Sequence, residues 1–217
     1  MFLRPVESLR CPTLPQVQIK RRNIDFMCPI LDWVKPTNVT ACEDAGLEMW
    51  MYTSLEPWQN YTNVLFHNAL YQPRLLFWQV FQLRLTGFLY YDLCAWENTT
   101  LTHKPIDGSA LSDGPFIDPM AWNPMQSDGG RDVGDGKLMY AGTDGPIASI
   151  RLHAIRDGIE DFGYLALLKA KHGDAAAQAY VSRLATAGNL QEHIGGSATE
   201  LEAMMAARAA IAAAIMA

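Results

Sequence analysis

The chain has 217 residues, of which 49% are hydrophobic, and a formal net charge of -6. That is enough apolar material for one large domain or two small ones with a real core. The acidic balance argues against general nucleic-acid binding, which needs a basic face to displace counterions, and no apolar run is long enough to cross a bilayer.

In chain order, residues 1–22 hold three prolines and no clear period, so they read as an irregular lead-in without a signal peptide. Residues 23–31, NIDFMCPIL, predict a short buried strand, and DWVKP after it a turn. NVTACEDAG fits a short helix closing at Gly46. Residues 47–55, LEMWMYTSL, predict a second strand that ends before Pro57. Residues 69–87 predict a helix, with Pro73 in its first turn and Gly87 as its stop. A third strand is predicted over residues 88–96, FLYYDLCAW. This alternation is the order of a parallel sheet, and near-continuous apolar strands fit a sheet covered on both faces.

Over residues 97–149 Gly, Asp and Pro dominate. The segment reads as a long loop with one short strand at KLMYAG, residues 137–142, and loops of that length are usually functional or mobile. Ser149 can cap a helix that begins SIRLHAIRDGIEDFGYLALL. Residues 175–187 predict a further helix, and Ser197 with Glu200 forms a capping box for a last, Ala-rich one. In the first of these helices Leu152, Ile155, Ile159, Phe162 and Ala166 form an apolar stripe. Arg151, Arg156, Glu160 and Asp161 are expected to tie that helix to adjacent loops. Catalytic acids project instead from strand ends and loops into a cleft. Gly158 costs about 1 kcal/mol in mid-helix relative to Ala, which implies a close-packed neighbour.

Cys11, Cys28, Cys42 and Cys94 form no C-x-x-C pair and have no His at zinc spacing, so free thiols are expected. The five histidines are scattered, and DGGRDVGDG lacks the Glu that a calcium loop carries at its twelfth position. No metal site is expected.

Asp32, Glu56, Asp92 and Glu97 fall at or just beyond strand ends, where a parallel sheet presents its chemistry. Glu43 and Asp44 are adjacent, but they sit in the helix before Gly46 and are expected to face solvent. Trp33, Trp50, Tyr52, Trp58, Tyr90, Tyr91 and Trp96 lie on or just after strands. Sugar rings stack their C–H faces on aromatic rings while their hydroxyls seek carboxylates and amides. Each residue also has a plain reading, core packing for the aromatics and turns or caps for the acids. Strand alternation puts Trp50 and Ser54 on the same side as Tyr52 and sends Met51 to the other side, against helices. The preferred sugar-contacting set is Trp33, Tyr52, Glu56, Tyr90 and Trp96.

The stretch GDGKLMYAGTDGPIASIRLHAIRDGIEDFGYLALL resembles the closing segment of the glycoside hydrolase family 123 catalytic domain. The matching residues are Gly134 to Gly136, Tyr140, Ser149, Arg151, Arg156, Asp157, Gly158, Glu160 and Asp161, with Ala141 where the family usually has Pro. Upstream, ILDW, EMWMYTSLEP and PRLLFWQVFQLRLTGFLYYDLCAWE match as well, so the resemblance spans residues 23–171. It implies an α/β fold: the last strands of a partial (β/α)8 TIM-like barrel, followed by C-terminal helices. Residues 1–22 would be the lead-in, 23–171 the C-terminal part of the barrel, and 172–217 a helical extension packed on it.

The resemblance also implies substrate-assisted, retaining hydrolysis of glycans ending in N-acetyl-β-galactosamine. The sugar's own 2-acetamido oxygen attacks the anomeric carbon, an Asp–Glu pair assists, and neither metal nor organic cofactor takes part. In the family that pair lies on a strand before ILDW. No catalytic residue is therefore assigned here, and the chain is expected to be a fragment or degenerate relative that lacks the acid. The alternative is a non-catalytic carbohydrate-binding or truncated scaffold module. A glycan or amino-sugar substrate is the expected partner, with no nucleic acid, no membrane, and self-association through an open sheet edge. The compartment is left open.

Overall fold

Three short strands, β1 (Phe26–Met27), β2 (Glu48–Thr53) and β3 (Gly87–Tyr90), form a parallel sheet in the order β1-β2-β3. The computed structural model describes residues 25–57, 61–94, 134–140, 145–184 and 198–217. Parallel neighbours need crossovers, and α1 (Pro36–Asp44) and α2 (Gln72–Gln82) supply them, so the fold is mixed α/β. Strand β1 is shorter than the run of residues 23–31 suggests. The chain passes Pro29, which has no N–H to donate, pairs again at Ile30 opposite Tyr52, and then turns through a 3-10 segment, Leu31–Trp33. Helix α1 closes where expected: Ala45 caps it and Gly46 takes φ 70°.

Helix α2 stops earlier than Gly87. It ends at Gln82, and Arg84 turns the chain with φ 56°. Gly87 instead opens β3. Trp50 on the neighbouring strand lies across it, and any Cβ there would come within 2.3 Å of the indole ring.

Register decides what each strand residue touches. Met27 lies beside Met49, and Met51 beside Phe88. Their face is sealed by Val39 and Cys42 of α1 and by Leu76, Phe77 and Val80 of α2, with Phe77 meeting Phe88 edge-on at 5.4 Å. The other face carries Phe26, Trp50, Tyr52 and Leu89. Phe26 stacks on Trp50 at 4.7 Å, yet Phe26 remains 48% and Leu89 45% exposed. Among the described residues helices thus cover one face of the sheet, not the two that the apolar runs suggest. Met51 does pack against the helices, with Trp50 and Tyr52 on the opposite side, as strand alternation requires.

Beyond the sheet, β4 (Met139–Tyr140) pairs antiparallel with β5 (Ile147–Ala148). Ser149 then caps α3 (Ile150–His172), its hydroxyl accepting from the Leu152 N–H at 3.2 Å. Helices α4 (Asp174–Leu184) and α5 (Ala198–Met216) follow; Ser197 of the expected capping box lies outside the described residues. A second apolar core joins these helices. Leu75 and Trp78 of α2 meet Leu165 and Leu168 of α3, Val181 of α4, and Met204 and Ile211 of α5.

The charges of α3 pin this helical layer. Asp161 Oδ2 accepts from Arg74 Nε at 2.5 Å and from Trp78 Nε1 at 2.9 Å. Its Oδ1 accepts from Arg74 Nη2 and Arg208 Nη1, both at 3.0 Å, and Arg208 also reaches Glu160 at 2.8 Å. Asp161 and Glu160 therefore tie α3 to helices α2 and α5, not to loops. Arg156 pairs with Asp157 along the exposed side of its own helix. Gly158 has the close neighbour its cost implies: an added Cβ would lie 2.7 Å from the Arg74 carbonyl oxygen and 2.6 Å from the Phe77 ring. The buried face accordingly runs through Ile155, Gly158, Asp161, Leu165 and Leu168. Ile159 is 54% exposed and Ala166 is exposed too, so the expected stripe is rotated. The glycine and the carboxylate turn inward because only they fit the α2 contact.

Asp161→Ala leaves the buried Arg74 guanidinium without its carboxylate, and is expected to lower stability by about 3–5 kcal/mol. The measurement is a fall in the urea midpoint at unchanged slope. Gly158→Ala is expected to destabilise despite its better helix propensity. Gly163→Ala, where an added Cβ meets nothing within 4 Å, is expected to stabilise by up to about 1 kcal/mol in the same assay.

Candidate functional site

Parallel strands bring their carboxyl ends to one edge, and the loops that follow them line the natural crevice of such a sheet. The loop after β2 is pinned from below by Asn63, which is buried. Its Nδ2 donates to the Ser54 carbonyl at 2.9 Å and to the Pro57 carbonyl at 3.4 Å, while its Oδ1 accepts from the Val64 N–H at 2.8 Å. Gln72, at the start of α2, accepts from the Asn63 N–H and from Asn68 Nδ2. These bonds fix residues 54–57 and so set the exposed Glu56 at the carboxyl edge.

The turn Gly134-Asp135-Gly136 closes over the end of β3. Tyr90, the last residue of that strand, accepts from the Gly136 N–H at 3.0 Å and hydrogen-bonds the Asp135 side chain. Arg151, in the first turn of α3, holds the turn from its other side. One Nη donates to the carbonyls of Val64 at 2.6 Å and Gly134 at 3.1 Å, and the other donates to that of Lys137. The guanidinium also lies 4.2 Å from the centre of the Phe66 ring. Gly134 has φ 95°, and a Cβ there would approach that ring to 2.7 Å, so the turn closes only on a glycine.

Burial raises the ionisation point of several groups at this edge. It lifts the Tyr90 phenol well above the ordinary value, with the Asp135 charge adding to it. Tyr52 is raised by burial too, then by Asp135, Tyr91 and Cys28, against a hydrogen bond from Ser54 that lowers it. Burial pushes the Cys28 thiol up to about 11. Arg151 is lowered by burial, with Tyr140, Tyr90 and Asp135 opposing. The Asp32 carboxyl is raised by burial, against hydrogen bonds from its own and the Trp33 backbone and the charge of Lys35.

The sugar-contacting set is distributed unevenly. Trp33 sits in the 3-10 turn after β1, 36% exposed. Tyr52 lies half-buried on the open face, in register with Leu89. Tyr90 is in register with Thr53, on the helix-covered face, so the sheet separates the two phenols. Trp96 lies outside the described residues, as do Trp58 and Glu97. Asp92 is a turn residue, accepting from the Cys94 N–H at 2.9 Å. Glu43 and Asp44 are exposed at the end of α1, which leads into the amino end of β2 and away from this edge. Asp135 is not in that set, although the Gly134-Asp135-Gly136 turn is among the residues that resemble the family. Here it is 2% exposed. Cys28, Cys42 and Cys94 are free thiols, and among the described residues no group of three His, Cys, Asp or Glu side chains is placed to hold a metal ion.

The catalytic-domain model of glycoside hydrolase 123 matches residues 16–168. The chain belongs to that family. A family 123 glycoside hydrolase from Clostridium perfringens, whose structural analysis concerns glycolipid glycan hydrolysis, superposes with a TM-score of 0.56 at 14% identity. The superposition covers 93% of this chain and 33% of that one, so this family member spans about a third of the length of that structure. At such identity the likeness speaks for the fold alone. No curated protein matches the chain. Among the described residues no helix is long and apolar enough to cross a membrane.

A carboxyl whose folded-state pKa is raised binds its proton more tightly in the folded chain. Its stabilisation is complete below the unfolded value and is lost as pH rises through the folded one. The stability difference between Asp32→Asn and the parent is therefore expected to move in the variant's favour as pH rises through this window, and then to level off. Urea titrations of both chains across the acid range measure it.

Proposed function

We propose that this family 123 chain forms the saccharide-binding wall of a glycosidase-type site acting on glycans that end in N-acetyl-β-galactosamine. The observation that carries the reading is the family match, which covers the strands, the turn and the helix that build the carboxyl edge. The parallel order β1-β2-β3, sealed by helices on one face, suits the last strands of a partial (β/α)8 barrel, whose inner wall would be the face carrying Phe26, Trp50, Tyr52 and Leu89. On this reading residues 23–171 belong to the barrel, and residues 172–217 are a helical extension. Trp33, Tyr52 and Glu56 contact the sugar together with Trp96, and Tyr90 serves the same wall by anchoring the turn behind it.

The proposed chemistry is substrate-assisted and retaining. The 2-acetamido oxygen attacks the anomeric carbon as the glycosidic C–O bond breaks, the departing oxygen takes a proton from an acid not assigned among these residues, and water opens the oxazoline-type intermediate. This chain's part is to bind and orient the sugar: stacking on aromatic faces, donation from the Tyr52 hydroxyl, and acceptance by Glu56. No catalytic acid is assigned among its residues. Glu43–Asp44 stands at the wrong end of the sheet, and Asp161 is consumed by the helix packing.

Titration of the chain with a chromogenic N-acetyl-β-galactosaminide, followed by tryptophan fluorescence and by release of the chromophore, tests the proposal. Binding without turnover is expected. Tyr52→Ala is expected to raise the dissociation constant roughly tenfold, about 1.4 kcal/mol. Release of the chromophore by this chain alone would show that its residues do supply the acid. Absence of binding would remove the saccharide reading.

A further inference from the structure

The proposed wall leaves the buried carboxylate of Asp135 without a role. Four observations bear on it. Asp135 is 2% exposed, so it does not greet a ligand from solvent. The turn that carries it is held by Arg151 through the carbonyls of Gly134 and Lys137, and by the fit of Gly134 against Phe66. Tyr90 receives the Gly136 N–H and hydrogen-bonds the Asp135 side chain. Tyr90 is also the register partner of Thr53, the residue next to Tyr52, and Tyr91 N–H donates to the Thr53 carbonyl at 3.3 Å.

A carboxylate can only accept, so the Tyr90 hydroxyl must spend its proton on Asp135 and offer its lone pair to Gly136. That leaves a single arrangement of the phenol. An amide at the same place could donate or accept, and the phenol could then turn either way. We propose that Asp135 is a positioning residue of the saccharide site: by holding the Tyr90 hydroxyl in one orientation it fixes the carboxyl ends of β2 and β3, and through them the Tyr52 face that meets the sugar. The inference rests on the saccharide reading above and adds a residue that acts through another.

The charge of Asp135 acts on both phenols across the end of the sheet. Tyr91 and Cys28 also act on Tyr52, Arg151 acts on Tyr90, and Lys137, fully buried, lies two residues from Asp135. Removing the carboxylate removes an influence that raises both phenols. Asp135→Asn is therefore expected to bring the Tyr52 ionisation to lower pH, read by ultraviolet difference spectroscopy with Tyr52→Phe assigning the band. The same variant is expected to weaken binding of a methyl N-acetyl-β-galactosaminide roughly tenfold, measured by calorimetry well below the unfolding midpoint. Tyr90→Phe removes the hydroxyl that Asp135 holds and is expected to weaken binding to a similar degree. The double variant is expected to be no weaker than either single one, because both remove the same arrangement.

A purely structural role would lower the unfolding midpoint and leave sugar binding of the folded variants at the parent's level, and that result overturns the proposal. Additive losses in the double variant overturn it too, as does an unshifted Tyr52 titration in Asp135→Asn. Should Asp135→Asn fail to fold, Tyr90→Phe decides alone, and unchanged binding overturns the proposal. A parent chain that binds no sugar removes the saccharide reading and this inference with it. A parent that binds while the variants bind equally well removes the inference only.

Discussion

The helical layer of this protein is organised by one carboxylate in a place without water. Asp161 collects an arginine and a tryptophan from α2 and a second arginine from α5, four hydrogen bonds shared between its two oxygens. Burying a carboxylate costs several kcal/mol, and only a full set of donors offsets that. The geometry is correspondingly demanding. Helix α3 must come close enough to α2 for Gly158 to lie against the Arg74 backbone, and α5 must lie where Arg208 can reach over. Apolar contacts such as Trp78 with Leu165 and Met204 then fill a space whose shape the ion pair already sets.

What happens at Asp161 carries to the carboxyl edge along a rigid rod. Arg151 precedes Asp161 by ten residues on the same helix, or about 15 Å of rise. With the middle of α3 locked to α2, its first turn has little freedom, and Arg151 meets the carbonyls of Val64, Gly134 and Lys137 together. Two buried charges thus serve the two regions of one helix. Asp161 joins helices, and Arg151 joins the loop before α2 to the turn over β3. The turn in turn brings a third buried charge, Asp135, against Tyr90.

The sheet divides labour by register. Tyr52 and Tyr90 are both tyrosines near the ends of adjacent strands, yet one lies beside Leu89 and the other beside Thr53. That single-residue offset sends Tyr52 to the open face and Tyr90 into the helix-covered side. Gly87 shows the same logic at the other end of β3, where the absent side chain makes room for Trp50. For a family 123 chain the result is an aromatic face with a buried polar support behind it.

Sequence alone determined the local grammar. The alternation of apolar runs with helical segments is that of a parallel α/β sheet, and the Ser149 cap and the close of α1 at Gly46 could be read directly, as could the family's ordered motifs. Each depends on residues within a few positions of one another, so each is visible along the chain. Only the tertiary structure decided which side of α3 turns inward, that α2 ends at Gln82, that Gly87 belongs to a strand, and that Asp135 is buried. Those outcomes depend on contacts such as Arg74 with Asp161, 87 positions apart. A helical period shows that a face exists, and a Gly-Asp-Gly string shows that a turn exists. Which neighbour covers them is set by the packing of distant segments, where shape and the desolvation of charge act together.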